Sequence, residues 1–337
     1  MRVLLTGATG FLGRAIARRL GEAGYEVAAL VRAHDAALDA DRVEQRVGDV
    51  VAIDSVIAAA AGCDAVVHAA ARADAFARLD DYYDVNVRGT GNVLAACEHA
   101  GVRRLVFTSC AGVVVDGSDL NGVNETQGLP ARAASPYLAT KVLAERHVLA
   151  ANGAGLATVA LRPHLLWGPD EPRLLPRLVA LARAGRLRLF GEGTRKIDCC
   201  YVDNAADAHL AALERLAPGS AIAGKAFFIT QGEPASVEGF FNGLLRAAGY
   251  PVETRRLSAP LARLLASTAP LRRAVTGTEP LLTRDALALF ARNTWFNIAA
   301  ARRDLGYLPR VGTAEGLARL SAHLARERMR GRAGSQD

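Results

Sequence analysis

The chain has 337 residues, is 51% hydrophobic and 6% aromatic, and carries a formal charge of +7. This fits one large or two modest globular domains, and no run of about 18 uninterrupted apolar residues predicts a membrane-spanning helix. The five cysteines, Cys63, Cys97, Cys110, Cys199 and Cys200, show no C-x-x-C spacing, which argues against a disulfide framework and a metal site and for a reducing, cytoplasmic setting. Met1-Arg2 runs straight into Val3-Leu4-Leu5 and then glycines, so no secretory leader is expected. The arginines are spread along helical patterns (Arg14, Arg18, Arg19; Arg302, Arg303) rather than clustered with aromatics. That favours solvated faces and no nucleic-acid partner, while remaining compatible with anionic small molecules.

Residues 2–6 read as a short buried strand, 7–13 as a glycine turn and 14–23 as an amphipathic helix. In that context Gly7 and Gly10 let the backbone turn tightly and approach a pyrophosphate, and Gly13 lets the helix pack close to the strand. The helix N-terminus then faces the phosphates, making Thr9, Phe11 and Leu12 further candidate contacts. A glycine turn without a ligand is the plain alternative. A second strand, 26–31, ends Leu30-Val31-Arg32, with no carboxylate before Asp35. An NAD site usually places Asp or Glu there for the ribose hydroxyls, whereas Arg32 suits a 2′-phosphate. The expectation is NADP(H) over NAD(H), the alternative being an arginine merely exposed at a strand end.

Residues 43–47 read as a third strand, followed by Gly48-Asp49-Val50. Asp49 can meet the adenine edge or cap the helix at 55–61. Residues 63–71 form an expected fourth strand whose small Ala69, Ala70 and Ala71 admit a cofactor closely. A helix at 82–100 carries Asn86, and a fifth strand at 102–108 ends Thr108-Ser109-Cys110. This alternation predicts an α/β, doubly wound parallel (Rossmann) sheet, with ligands at the carboxyl ends of its strands.

Tyr137 and Lys141 lie four apart at the start of the next helical pattern, so they share one face. Of 41 Lys plus Arg only three are lysine (Lys141, Lys196, Lys225), and about 0.06 Tyr-to-Lys pairs at this spacing are expected by chance. An ammonium beside a phenol favours the phenolate and lowers the tyrosine pKa. An exposed helix pair is the bland alternative.

With the glycine loop, Asn86, the Thr108-Ser109 strand end and Tyr137/Lys141 in order, the chain resembles the extended short-chain dehydrogenase/reductase family over nearly its whole length. Gly168-Pro169, Tyr201-Val202-Asp203-Asn204 and Asp304-Leu305-Gly306-Tyr307 look like further signposts of that family. Arg162-Pro163-His164, Leu174-Leu175-Pro176 and Phe228-Ile229-Thr230-Gln231-Gly232 resemble its 3β-hydroxysteroid dehydrogenase-like branch. That branch includes sterol dehydrogenases and bacterial 2-alkyl-3-oxoalkanoate (β-keto acid) reductases of olefin and β-lactone biosynthesis. The resemblance implies that Tyr137 protonates a carbonyl as hydride arrives, that Lys141 holds the nicotinamide ribose, and that Pro163 lines the nicotinamide. It implies Asp49, Val50, Ala69, Ala70 and Ala71 on the adenine and phosphate side, with Asn86 and Thr108 as further cofactor-site positions. The hydroxyl usual beside the tyrosine maps to Cys110, a weaker donor, leaving Ser109 as a substitute or Tyr137 acting alone. A homodimer through the helices at 82–100 and 136–152 is also implied.

Where nucleotide-sugar members carry an asparagine after the sixth strand (156–161), this chain has Leu165, which argues for an apolar substrate. His164, Leu165 and Trp167 are candidate substrate contacts, His164 having a satisfied histidine at a strand end as its plain alternative; Arg195 or Lys196 can hold a substrate carboxylate or simply lie in a solvated loop. Residues 174–184 read as an amphipathic helix; a helical pattern at 257–275, with Arg263, Arg272 and Arg273, can supply an apolar tunnel, touch a membrane surface, or simply pack in the core. The expected division is a cofactor domain at 1–165, a substrate insertion at 166–196, a return to the cofactor domain at 197–232, a smaller, mostly helical substrate lobe at 233–328, and a disordered tail at 329–337. The expected activity is an NAD(P)-dependent reductase or dehydrogenase of an apolar ketone or alcohol, first a 2-alkyl-3-oxoalkanoate. A steroid or sterol dehydrogenase, a nucleotide-sugar epimerase and a non-catalytic NADP-binding regulator are the alternatives.

Overall fold

The computed structural model describes residues 1–74, 77–190, 193–253, 255–269 and 290–333. Its main sheet contains β1 (Arg2–Thr6), β2 (Glu26–Val31), β3 (Glu44–Val47), β4 (Ala65–His68), β5 (Arg104–Thr108), β7 (Ala157–Pro163) and β12 (Lys225–Ile229), in the order β12-β7-β5-β4-β1-β2-β3 and all parallel. A four-stranded sheet joins β6 (Leu120–Val123), β10 (Lys196–Ile197), β13 (Ala235–Ser236) and β15 (Thr294–Phe296). Two short pairs complete the set: β8 (Leu166–Trp167) with β11 (Cys200–Tyr201), and β9 (Leu189–Phe190) with β14 (Arg256–Leu257).

Among the described residues the helices are α1 (Phe11–Glu22), α2 (Ala36–Ala40), α3 (Ile53–Ala60), α4 (Leu79–Tyr83), α5 (Gly89–Ala100), α6 (Pro136–Ala150), α7 (Leu174–Arg183), α8 (Val202–Arg215), α9 (Val237–Ala247), α10 (Ala259–Ser267), α11 (Ala299–Leu305) and α12 (Thr313–Ala333). Strand side chains alternate between two cores, as the pleat requires. Val3, Leu5, Val27, Ala29 and Val106 pack with Ile16 and Leu20 of α1 and Leu213 of α8. Leu4, Ala28, Leu30, Leu105 and Phe107 pack with Val56 of α3, Val93 and Cys97 of α5, and Ala144 and Val148 of α6. Both faces are covered, so the strands read as continuous apolar runs. The order reverses between β1 and β4, and the crevice at their carboxyl ends is where an open α/β sheet takes its ligand.

Several elements differ from expectation. The helix expected at 82–100 is broken into α4, a π-helical turn (Asp84–Arg88) and α5. The Thr90 hydroxyl donates to the Asn86 carbonyl at 2.6 Å and competes for that acceptor. The second lobe is mostly helical as expected, but β6, from within the stretch assigned to the cofactor domain, pairs with its β15. The last helix reaches Ala333, past the expected end at 328. From 270 the expected helical stretch at 257–275 lies outside the described residues, as do Gly191, Glu192 and the tail from 334.

Asp198 links the second sheet to the end of β12 through a side-chain hydrogen bond with Thr230. It is fully buried, and its Oδ2 accepts from the Phe296 amide of β15 at 3.0 Å. Burial pushes its carboxyl pKa from 3.8 up to about 6. A folded-state pKa above the unfolded one means stability is highest with Asp198 protonated and falls as pH rises through that interval. Asp198→Asn keeps the acceptor and removes the charge. Its melting temperature should match wild type near pH 4, rise above it between about pH 4 and 6, and stay higher to pH 8. A pH-independent difference would show that Asp198 does not titrate in that interval.

Candidate active site

The glycine turn has the shape a pyrophosphate requires. Gly7 adopts φ 76°, and a Cβ there would lie 2.6 Å from the Ala70 amide nitrogen; one on Gly13 would lie 1.9 Å from the Gly7 carbonyl oxygen. Only glycine lets α1 and the end of β4 approach this closely. Beside the turn is a cavity of about 260 Å³ lined by Gly7, Gly10, Arg32, Asp49, Val50 and Ala70 among others. Thr9, Ala69 and Ala71 also line it, bringing the expected cofactor residues of β1, β2, β3 and β4 to one crevice. Leu12 is instead a core residue, 9% exposed. Asp49 makes an Asx-turn, its Oδ1 accepting from Val51 N at 3.1 Å, on the cavity rim. Asp35, the first carboxylate after β2, caps α2 and is paired with Arg14 at 2.7 Å.

A buried chain of polar groups holds the loop after β4. Ala70 N donates to Thr6 Oγ1 (3.1 Å), Thr6 meets His68 Nδ1 (2.6 Å), and His68 Nε2 meets Thr90 (3.0 Å). Burial pushes the His68 pKa down to about 3, with the nearby Lys141 charge adding to it, so the ring is neutral. Asn86 clamps Arg72 from both sides, accepting from its amide at 2.8 Å and donating to its carbonyl at 3.0 Å, and also donates to Thr140 Oγ1 at 3.0 Å. Asn86 therefore acts on the loop and on α6 rather than opening onto the crevice.

The start of α6 is set by Ser135, whose hydroxyl accepts from Leu138 N at 3.2 Å, and by Pro136 in the first turn. Tyr137 is half-buried, with its ring 6.1 Å from that of Tyr82. Its hydroxyl shares a hydrogen bond with the Cys110 thiol, and burial pushes that thiol's pKa up, so Cys110 faces Tyr137 neutral. Lys141 is 2% exposed; its Nζ donates to the Thr108 carbonyl at 2.7 Å and lies 4.3 Å from the Phe107 ring centroid. Burial pushes the Lys141 pKa down to about 8, opposed by Cys110 and Glu145, so the ammonium is the major form at neutral pH.

Other expected residues are placed elsewhere. The Ser109 hydroxyl donates to Glu145 Oε2 at 2.5 Å and is 3% exposed, so it cannot substitute for Cys110. The Thr108 hydroxyl meets His209 Nε2 at 2.7 Å, and His209 Nδ1 meets the Ala205 carbonyl at 2.7 Å. A carbonyl only accepts, so Nδ1 carries the proton and Thr108 donates to Nε2. Only the Thr108 carbonyl serves the site. Trp167 is core: it is 1% exposed, packs on Tyr201 and Phe240, and donates to Gln231 at 2.7 Å. His164 is buried against Phe296, and burial pushes its pKa down to about 4. Arg195 is exposed and paired with Asp119 at 3.7 Å, so its charge is already matched. Leu165 stays half-buried with φ 42°, a left-handed conformation costing about 1–2 kcal/mol. Pro163 closes β7 opposite Ile229.

The groups sequence reasoning missed, Thr6, His68, Thr90, Glu145 and Arg162, are buried polar side chains in apolar runs. Their types were visible, but their partners lie on other elements.

A nicotinamide dinucleotide suits the glycine cradle, and the class is that of the NAD(P)-dependent oxidoreductases acting on keto or CH–OH groups. The chain belongs to the 3-beta hydroxysteroid dehydrogenase/isomerase family, matched over residues 4–259. It is 45% identical to the 2-alkyl-3-oxoalkanoate reductase of Stenotrophomonas maltophilia, over 96% of this chain and 100% of that protein. It is 33% identical to the 3-beta-hydroxysteroid dehydrogenase of Mycolicibacterium neoaurum, over 94% of this chain and 89% of that one. Among solved structures, MoeE5 in complex with UDP-glucuronic acid and NAD superposes with a TM-score of 0.75 at 25% identity, covering 97% of this chain and 100% of that one. The UDP-glucuronic acid 4-epimerase of Bacillus cereus in complex with NAD, at TM-score 0.73 and 23% identity over 97% of this chain and 99% of that one, is alike in fold alone.

Proposed function

We propose that this protein reduces the 3-oxo group of a 2-alkyl-3-oxoalkanoate, with NADP(H) as the preferred cofactor. The observation that carries the substrate is the 45% identity, over 96% of this chain and 100% of the relative, to a protein of that activity. The bound nicotinamide supplies the hydride. Tyr137 donates its hydroxyl proton to the carbonyl oxygen, and the Lys141 ammonium, seated on the Thr108 carbonyl, stabilises the resulting phenolate. Cys110 contacts the Tyr137 hydroxyl as a weak hydrogen-bonding partner, so it orients the phenol without competing for its proton. Leu165 offers an apolar surface where a nucleotide diphosphate would need a donor.

A 3β-hydroxysteroid is the second reading, favoured by the family match. Reduction rates for a 2-alkyl-3-oxoalkanoate, measured beside oxidation of a 3β-hydroxysteroid and epimerisation of UDP-glucose, separate the readings. A kcat/KM higher for the steroid or the nucleotide sugar would overturn the first. The same reading includes a homodimer, supported by the exposed apolar Leu79, Tyr83 and Leu143 of α4 and α6.

The cofactor preference rests on Arg32, which lines the cavity while Asp35 is held by Arg14. Arg32→Ala should raise the KM for NADPH about tenfold or more, the loss of a charge-assisted bond to phosphate, and leave the KM for NADH unchanged. Equal effects on both cofactors would remove Arg32 from the 2′-phosphate.

A further inference from the structure

We infer that Glu145 is a positioning residue of this active site: clamped by Arg162, it holds through Ser109 the strand end that carries the contacts to both Tyr137 and Lys141. Glu145 follows Lys141 by one helical turn, so Tyr137, Lys141 and Glu145 lie along one face of α6. It is fully buried. Arg162 of β7 grips it in a fork, Nη2 to Oε1 at 2.6 Å and Nε to Oε2 at 3.0 Å, with the guanidinium 5.2 Å from the Phe228 ring. Oε2 also accepts the Ser109 hydroxyl at 2.5 Å.

Ser109 is the middle of three residues. The carbonyl before it, on Thr108, accepts Lys141 Nζ, and the thiol after it, on Cys110, meets the Tyr137 hydroxyl. One side-chain bond from Glu145 therefore sets the peptide on which both contacts depend. Geometry at a reacting centre is sensitive to such supports, since a shift of about 1 Å can cost roughly 10²-fold in rate.

The same carboxylate acts by charge. The groups facing Lys141 are His68 from β4, neutral; the Phe107 ring and Thr108 carbonyl from β5; the Cys110 thiol; and Tyr137 and Glu145 on its own helix. Glu145 is the one carboxylate among them, and its negative charge favours the ammonium against the pull of burial.

Two measurements test this. The chain has three lysines, so NMR of protein labelled at the lysine side chains resolves Lys141 against Lys196 and Lys225 without a substrate. Lys141 should titrate at lower pH in Glu145→Gln than in wild type, and as in wild type in Glu145→Asp, which keeps the charge but is too short for the Ser109 bond. In steady-state assays, Ser109→Ala and Glu145→Asp should lower kcat roughly 10- to 100-fold with cofactor affinity close to wild type. Should Glu145→Gln fail to fold around an unmatched Arg162, Ser109→Ala and Glu145→Asp carry the test. Wild-type kcat in both, or an unmoved Lys141 titration in Glu145→Gln, would reduce the cluster to an ordinary buried ion pair. The kinetic arm rests on the proposed substrate, the NMR arm does not; an inactive wild-type protein would count against the substrate and leave the lysine titration to decide the role of Glu145.

Discussion

Tyr137→Phe should lower turnover about 10²- to 10⁴-fold, the range lost with a general acid, and leave cofactor affinity unchanged. The phenylalanine ring keeps the packing on Tyr82 and removes only the hydroxyl that meets Cys110. No neighbour can take over. The Cys110 thiol is held neutral by burial and is a weak donor, and the Ser109 hydroxyl is committed to Glu145. The check is kcat beside a fluorescence titration of the reduced cofactor. Wild-type turnover in the phenylalanine variant would remove Tyr137 as the proton donor, and a parallel loss of cofactor affinity would reassign it to binding.

Gly13→Ala should abolish measurable cofactor binding and destabilise the fold by about 1–3 kcal/mol, the usual cost of overpacking. The added Cβ would stand 1.9 Å from the Gly7 carbonyl oxygen and 2.7 Å from its carbon. Backbone, not a movable side chain, occupies that space, so α1 must back away from the β1 turn and its amides leave the phosphate position. Gly21→Ala on the same helix is the control: its Cβ would meet nothing nearer than the Asp41 carbonyl oxygen at 4.0 Å. It should stabilise by about 0.5–1 kcal/mol, the helical advantage of alanine, and leave cofactor binding intact. Wild-type affinity in Gly13→Ala would mean that α1 is not seated this tightly against the turn.

The two experiments probe parts of the site that were legible to different degrees. Glycine spacing behind a strand is a local property, because the tight turn and the close helix are made by residues adjacent in the chain. Tyr137 and Lys141 were legible for the same reason: helical periodicity alone puts them on one face. The β and α alternation also follows from hydrophobic runs, which is why six strands of the main sheet, β1 to β5 and β7, fall close to their expected places.

Side chains at strand ends were not legible. Ser109 and Cys110 are neighbours of similar size, and which of them faces Tyr137 depends on the pleat and on Glu145, 36 residues away, drawing the Ser109 hydroxyl to the other side. His164 and Trp167 are candidates for a substrate wall in the sequence, but Phe296, Tyr201 and Phe240 come from distant parts of the chain to bury them. Arg195 looked free until β6 brought Asp119 beside it.

By itself, then, the sequence determined the doubly wound sheet, the phosphate-binding turn and the tyrosine–lysine pair, because short-range covalent geometry dictates each. The tertiary structure alone decided which polar groups face the crevice and which are spent holding it together. A buried hydroxyl, carboxylate or guanidinium must find its partner wherever packing supplies one, and here the partners of Ser109, Glu145 and Arg162 come from three different elements that meet only once the chain has folded.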